Sequence, residues 1–428
     1  MRIQHIFIVL FACLTTATAQ QVEKSTSGTF ALTNATIETV TNGTVQGTVV
    51  IQNGRIAAVG ANARIPSGAQ TIDCNGMTVY PGMIDGGTTL GLTEVGSISL
   101  TQDYDEIGDV TPHVSALTAV NPNSVLIPVT RVSGVTTVLT KPTGGLFPGT
   151  ASVIDLHGYT PEQMATGYEC IIMNFPSSGR RGRWDRRSDE DIKKAEEKAL
   201  KKLNDVWEQA RLYERIAREG GKAALDYNPR MEALIPAVRG EMAVHIEVNR
   251  DKDILSALKW IADNEVNAVL TGVSEGWRVA DSIAAAGVPV ITGPVLRTPG
   301  RASDRYDIAY RNAGLMQQAG VQVAIRSNDS ENVRNLPYNA GFAAAYGMGR
   351  MEALKAVTIV PAQIMGLGAT HGSIEVGKVA NLFVADGDIF ETKTHVHHLF
   401  INGWKVPLES RHTLLYDEFL ERRPGLKK

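Results

Sequence analysis

Val79-Tyr80-Pro81-Gly82-Met83-Ile84-Asp85-Gly86-Gly87-Thr88-Thr89-Leu90 separates two different rhythms in the chain. Upstream, from Phe30 to Ile72, short apolar runs alternate with turn residues. Val49 to Gly60 reads there as two strands joined by the Asn53-Gly54 turn. Downstream, β-branched runs alternate with longer helical patterns: Gly134 to Thr140, Cys170 to Asn174, Ala243 to Val248, Ala268 to Val273, Val288 to Gly293 and Val321 to Ser327. Such alternation implies a parallel sheet with helices outside it.

Roughly 280 residues of β and α units match the usual length of a (β/α)8 barrel, with a doubly wound open sheet as the structural alternative. The expected fold class is therefore α/β, a TIM-like barrel whose chemistry sits at the C-terminal ends of its strands. Asp189 to Glu219, rich in Lys, Glu and Ala, predicts one or two long exposed helices within an insertion spanning about residues 178–220. After Pro361 the β character returns, with strands expected at Asn381 to Ala385 and His395 to Gly403. The reading is a discontinuous small β-sandwich domain, residues 20–78 and 371–428, flanking a barrel at 79–370.

Met1-Arg2, the apolar stretch Ile6 to Leu14 and the small triplet Ala17-Thr18-Ala19 have the layout of a secretory signal peptide cut after Ala19. The apolar run is about half the ~18 residues needed to span a bilayer. Export to a periplasm or the extracellular space is expected, with no transmembrane segment in the mature chain. The formal charge of −3 becomes −4 without Arg2, 41 basic against 45 acidic residues, which argues against a nucleic-acid partner. The basic run Arg180 to Arg187 reads as a solvated loop. Cys74 and Cys170 remain after export, too few for a disulfide framework, and their spacing leaves open whether they pair.

The run from Val79 to Leu90 resembles the first barrel strand of the amidohydrolase superfamily, which ends in Pro-Gly-x-Ile-Asp-x-His-x-His. Thr111-Pro112-His113-Val114, Asn121-Pro122, Gly134-Val135-Thr136-Thr137-Val138, Arg334-Asn335-Leu336-Pro337 and Gly372-Ser373-Ile374-Glu375-Val376-Gly377-Lys378 are similar, in order, to the imidazolonepropionase-like branch. The resemblance implies hydrolysis of non-peptide C–N bonds, cyclic amides among them, by water activated on zinc or a similar ion. It also implies five metal positions. The two histidines of the first strand fall on Gly87 and Thr89, the next on Glu247, a further one on Gly272, and the catalytic aspartate on Asn328, beside Asp329. A catalytic zinc site takes about three protein ligands plus an open position, and only Glu247 here is a good one.

The ligand pattern therefore predicts no cofactor in the family mode. Without the ion, forming hydroxide is harder by roughly 12 kcal/mol. The expectation is a catalytically degenerate binding or assembly partner, with a small-molecule ligand at the barrel mouth or a homodimer or heteromer with an active relative. The alternative is a metal-free C–N hydrolase using Glu247 or Asp329 as general base. His113, His157 and His245, the histidines of the barrel region, read as structural, and His395 with His397 as an exposed pair on a peripheral strand. Glu94, Asp103, Asp105 and Glu106 read as solvated loop charges, and Gly144 to Gly149 as a tight connection.

Overall fold

The computed structural model describes residues 24–180, 185–220 and 226–422. The leader-like residues 1–19 and the middle of the basic run, 181–184, lie outside them. The first half contributes strands β1 (Phe30–Glu38), β2 (Thr44–Gln52), β3 (Arg55–Gly60), β4 (Gln70–Asp73) and β5 (Thr78–Pro81). Next come β6 (Met83–Thr88), β7 (Val135–Thr140), β8 (Gly149–Asp155), β9 (Ala165–Asn174), β10 (Ala243–Val248), β11 (Ala268–Gly272), β12 (Val290–Thr292) and β13 (Val323–Ile325). β14 (Leu382–Ala385), β15 (Val396–Ile401) and β16 (Trp404–Val406) complete the described strands.

β6 to β13 pair in sequence order as one eight-stranded barrel sheet. Asn328 N–H donates to the Gly87 carbonyl at 3.0 Å, tying the last strand to the first. One strand departs from the (β/α)8 expectation: β8 runs antiparallel to both β7 and β9. Lys141 to Pro148 is too short to hold a crossover helix, so the chain must return alongside the strand it has just left. Inward-facing Ile84, Leu139, Val153, Cys170 and Ile172 fill one part of the barrel, and Val269, Ile291 and Ala324 another. The larger core lies outside the sheet, between strands and helices.

The charged insertion forms one 32-residue helix, Asp189–Gly220. It is not exposed all round, as its composition suggested. Leu203, Val206, Trp207, Ala210 and Tyr213 form a buried stripe at helical spacing, and Trp207 meets Trp260 edge-on at 5.3 Å. Trp260 belongs to the helix Asp251–Asn264, which buries Ile254, Ala257, Leu258 and Ile261 on the same face. That helix follows β10 directly and holds it against the outer core.

Strands from both ends of the chain form the second sheet, in the order β16-β15-β14-β5-β1-β2-β3 with β4 beside β1. The two ends of this path meet, because the Asn53-Gly54 turn closing the β2–β3 hairpin packs on Asn402-Gly403. The expected sandwich is thus one hydrogen-bonded sheet rolled over its own core of Phe30, Leu32, Ile51, Val79, Leu382 and Phe400. Cys74 lies in that core and Cys170 in the barrel, and both thiols are free.

Candidate functional site at the barrel mouth

Lys141, Glu247 and Arg326 follow or end β7, β10 and β13, so all three stand at the C-terminal mouth of the barrel. Parity along each strand turns them inward. Arg326 is two residues past Ala324 and Lys141 two past Leu139, both barrel-filling positions. Arg326 is 1% exposed and Lys141 8%. Arg326 Nη2 donates to Glu247 Oε1 at 2.7 Å, and Thr271 Oγ1 donates to Glu247 Oε2 at 3.0 Å. Lys141 Nζ makes no hydrogen bond or ion pair among the described residues, and the Arg326 Nε and Nη1 groups are buried without partners.

These neighbours set one another's protonation. Burial alone would raise the Glu247 carboxyl, but the Arg326 guanidinium, with help from Lys141 and Thr271, overrides it and brings it down to about 2. Burial, reinforced by Arg326, lowers the Lys141 amine to about 8. Asp85, fully buried on β6, is pushed by desolvation up to about 6, against the hydrogen bonds from Ser327 and Gly87. Its oxygens accept the backbone N–H of Gly87 at 2.9 Å and of Ser327 at 3.0 Å. His245, one layer down, is held neutral by burial, with a value of about 3, and bonds Tyr168 at 3.0 Å.

Residues 309–406 match the amidohydrolase family. An amidohydrolase from Thermotoga maritima aligns over 88% of this chain and 99% of its own, at 26% identity and a TM-score of 0.78. The chain is similar to the amidohydrolases in fold along most of its length and in sequence over its C-terminal part. Phenylurea hydrolase B shares the fold at 16% identity and a TM-score of 0.55, covering 89% of this chain and 97% of its own. A zinc-bound adenosine deaminase from Xanthomonas campestris does so at 16% and 0.53, covering 91% and 96%. No curated protein sequence matches the chain significantly.

The residues present do not fit the superfamily's metal. At Gly87 a Cβ would lie 3.2 Å from Arg326 Cδ and 3.5 Å from Lys141 Cε, so two cationic side chains fill the space beside this ligand position. At Gly272 a Cβ would fall 2.5 Å from Glu247 Oε1, and φ is +82° there. Any larger side chain at that position would expel the carboxylate from its place. Thr89 is half-buried just beyond β6, and Asn328 is exposed at a left-handed φ of +54°. The described residues contain no group of three or more His, Cys, Asp or Glu able to hold an ion. A divalent ion would also have to sit beside two positive charges that are already in place.

The two proposed general bases are separated by role. Glu247 is a counter-ion, and a carboxylate at about 2 is a poor proton acceptor near neutrality. Asp329 Oδ1 accepts the N–H of Glu331 at 2.7 Å and of Asn332 at 3.0 Å, closing the turn that leads into the short 3-10 helix Asn332–Asn335. Neither His113, exposed, nor His157, packed on Trp404 at 5.6 Å, lines the mouth. His397 Nε2 contacts Asp386 at 2.9 Å on the exposed face of β15. Lys141 and Arg326 are what the motif reading passed over. Their signal was present in the sequence, as single charged residues closing the apolar strands Val135 to Thr140 and Val323 to Ile325.

Proposed function

We propose that this amidohydrolase-like chain is a binding barrel that does not use metal-activated water, holding a small molecule at its mouth as a free module or as a partner of an active relative. The observation that carries this reading is the Lys141 and Arg326 pair packed beside Gly87, with Glu247 committed to Arg326. The metal's charge has been replaced by fixed side-chain charge, and the replacement uses the volume that ligand side chains would need. A cavity of about 720 Å3 opens over Glu247, Arg326 and Asn328, a size suited to a small ligand.

Fold neighbours named molinate hydrolase and phenylurea hydrolase B make hydrolysis the chemistry against which this barrel is compared. The alternative, metal-free hydrolysis with Glu247 or Asp329 as base, is opposed by the Arg326 ion pair on Glu247 and by the backbone N–H groups that Asp329 already accepts. Zinc, iron, manganese and nickel quantified against protein, on the purified mature chain, test the reading together with a panel of cyclic amides. The expected result is metal well below one equivalent and no turnover; near-stoichiometric metal with hydrolysis overturns it. Turnover by stripped protein that is lost in Glu247→Gln would favour the alternative instead.

Residues 1–19 support export, and N-terminal sequencing of the protein from fractionated cells should begin at Gln20. Among the described residues, no helix is long and apolar enough to cross a membrane.

A further inference from the structure

Arg326 lines the floor of the mouth cavity with a guanidinium that is 1% exposed, and two of its three nitrogens have no partner. Burying N–H donors unsatisfied is costly, and native proteins keep few such groups without a reason. Lys141, alongside it, also lacks a partner. Water can satisfy such donors but cannot neutralise charge.

The wall of the same cavity makes an independent case. Among its lining residues, Arg301 is taken up by Glu275 and Asp251. Arg250 donates only to the backbone carbonyls of Ser178 and Arg180. Arg250, Lys252 and Arg297 form no ion pair among the described residues. Against them stand Glu196, which accepts the Gly179 N–H, and the one charge of the Glu275 and Asp251 pair that Arg301 does not neutralise. On the floor, Asp85 and Glu247 balance Lys141 and Arg326, and on the wall Arg250, Lys252, Arg297 and Arg301 exceed Glu196, Asp251 and Glu275 by one positive charge. The mouth is therefore positive on a chain whose formal charge is −3, and a concave wall of one sign concentrates ions of the other.

We propose that the barrel mouth is a binding site for a small molecule bearing an oxyanion group, carboxylate or phosphoryl, seated against Arg326, with the Lys141 charge packed beside it at Gly87, and drawn in by Arg250, Lys252 and Arg297. This deepens the binding-barrel reading and rests on it. Guanidinium and ammonium donors make their strongest hydrogen bonds to such oxygens. A neutral ligand could accept from the unpartnered N–H groups but would leave the wall charge unanswered.

The test is calorimetric titration of the dialysed mature chain with acetate and, separately, with inorganic phosphate, at constant ionic strength. Acetamide serves as the neutral isostere of acetate and chloride as the simple-ion control. Saturable binding is expected for acetate or phosphate and absent for acetamide and chloride, and the tighter of the two identifies the oxyanion class. Lys141→Met, which breaks no ion pair, is expected to weaken that binding about tenfold, the loss of one buried positive charge beside Arg326. Arg297→Ala, at the exposed wall, should weaken it about two- to threefold and steepen nothing else in the profile. Binding of acetamide equal to that of acetate, no saturation by either anion, or full affinity in a folded Lys141→Met overturns the proposal. Metal measured on the same sample separates the failures: stoichiometric metal removes the binding-barrel reading, whereas metal-free protein that binds no anion removes this inference alone.

Discussion

At Glu247 the difference between a ligand and a counter-ion is one contact, the 2.7 Å bond to Arg326 Nη2. Removing one partner of a buried pair is worse than removing both, because it leaves a charge without compensation. Glu247→Gln should therefore cost about 2–3 kcal/mol in urea unfolding, less than for a fully buried pair because the carboxylate is partly exposed. Replacing both members, as Glu247→Leu with Arg326→Met, should recover much of that loss. The acid limb gives a second check. The Glu247 carboxyl, at about 2 in the fold, lies below its ordinary value of about 4.3. Its stabilisation is present above that ordinary value and is lost as pH falls through 4 toward 2. Wild-type protein should thus lose about 1–2 kcal/mol relative to Glu247→Gln on going from pH 6 to pH 3. Asp85, raised to about 6, acts with the opposite sign. It favours the fold as pH falls through 6 toward 4, and comparison with the variant cancels it.

At the scale of the strand ends, the lost ligand positions have a packing logic. Gly272 leaves room for the Glu247 carboxylate and adopts a left-handed φ, and Gly87 leaves room for the stems of Arg326 and Lys141. Gly272→Ala should destabilise by about 2 kcal/mol, adding a contact at 2.5 Å to the cost of a Cβ at positive φ. Restoring the family's histidines as Gly87→His with Thr89→His should not restore metal, because Lys141 and Arg326 still hold the space and the charge. Elemental analysis of that variant, with its thermal midpoint, checks both points. The motif frame told where the ligands ought to be and that they were gone. It could not tell what stood in their place, because Lys141, Glu247 and Arg326 come from strands far apart in the chain, Glu247 and Arg326 by 79 residues, and only closure of the barrel sets them side by side. The antiparallel β8 was missed for a related reason. Its seven residues were readable as a strand, but their direction depends on the short Lys141 to Pro148 link.

Across the whole molecule, the two domains are joined by a buried polar knot as well as by apolar packing. Asp155, at the end of β8, accepts from Thr137 at 2.7 Å and Asn381 at 2.8 Å, and meets His371 Nε2 at 3.5 Å. Thr137 belongs to the barrel, whereas His371 and Asn381 belong to the segment leading back to the rolled sheet. Asp155→Ala strands several buried donors at once. It should cost about 3 kcal/mol and split the calorimetric transition, with the rolled sheet melting before the barrel; a single undisturbed transition would assign the joint to apolar contacts. The amino-acid sequence by itself determined the barrel with its flanking β domain, and it raised the expectation that the ligand set is incomplete. Strand periodicity, turn residues and motif frames are local, and a missing imidazole needs no coordinates to be noticed. Only the tertiary structure decided that the place beside Gly87 is cationic, that Glu247 is spent on Arg326, and that Asp329 is taken up by the turn at Glu331 and Asn332. Those outcomes depend on distances between residues far apart in the chain, and on how burial and neighbouring charge shift each group's protonation.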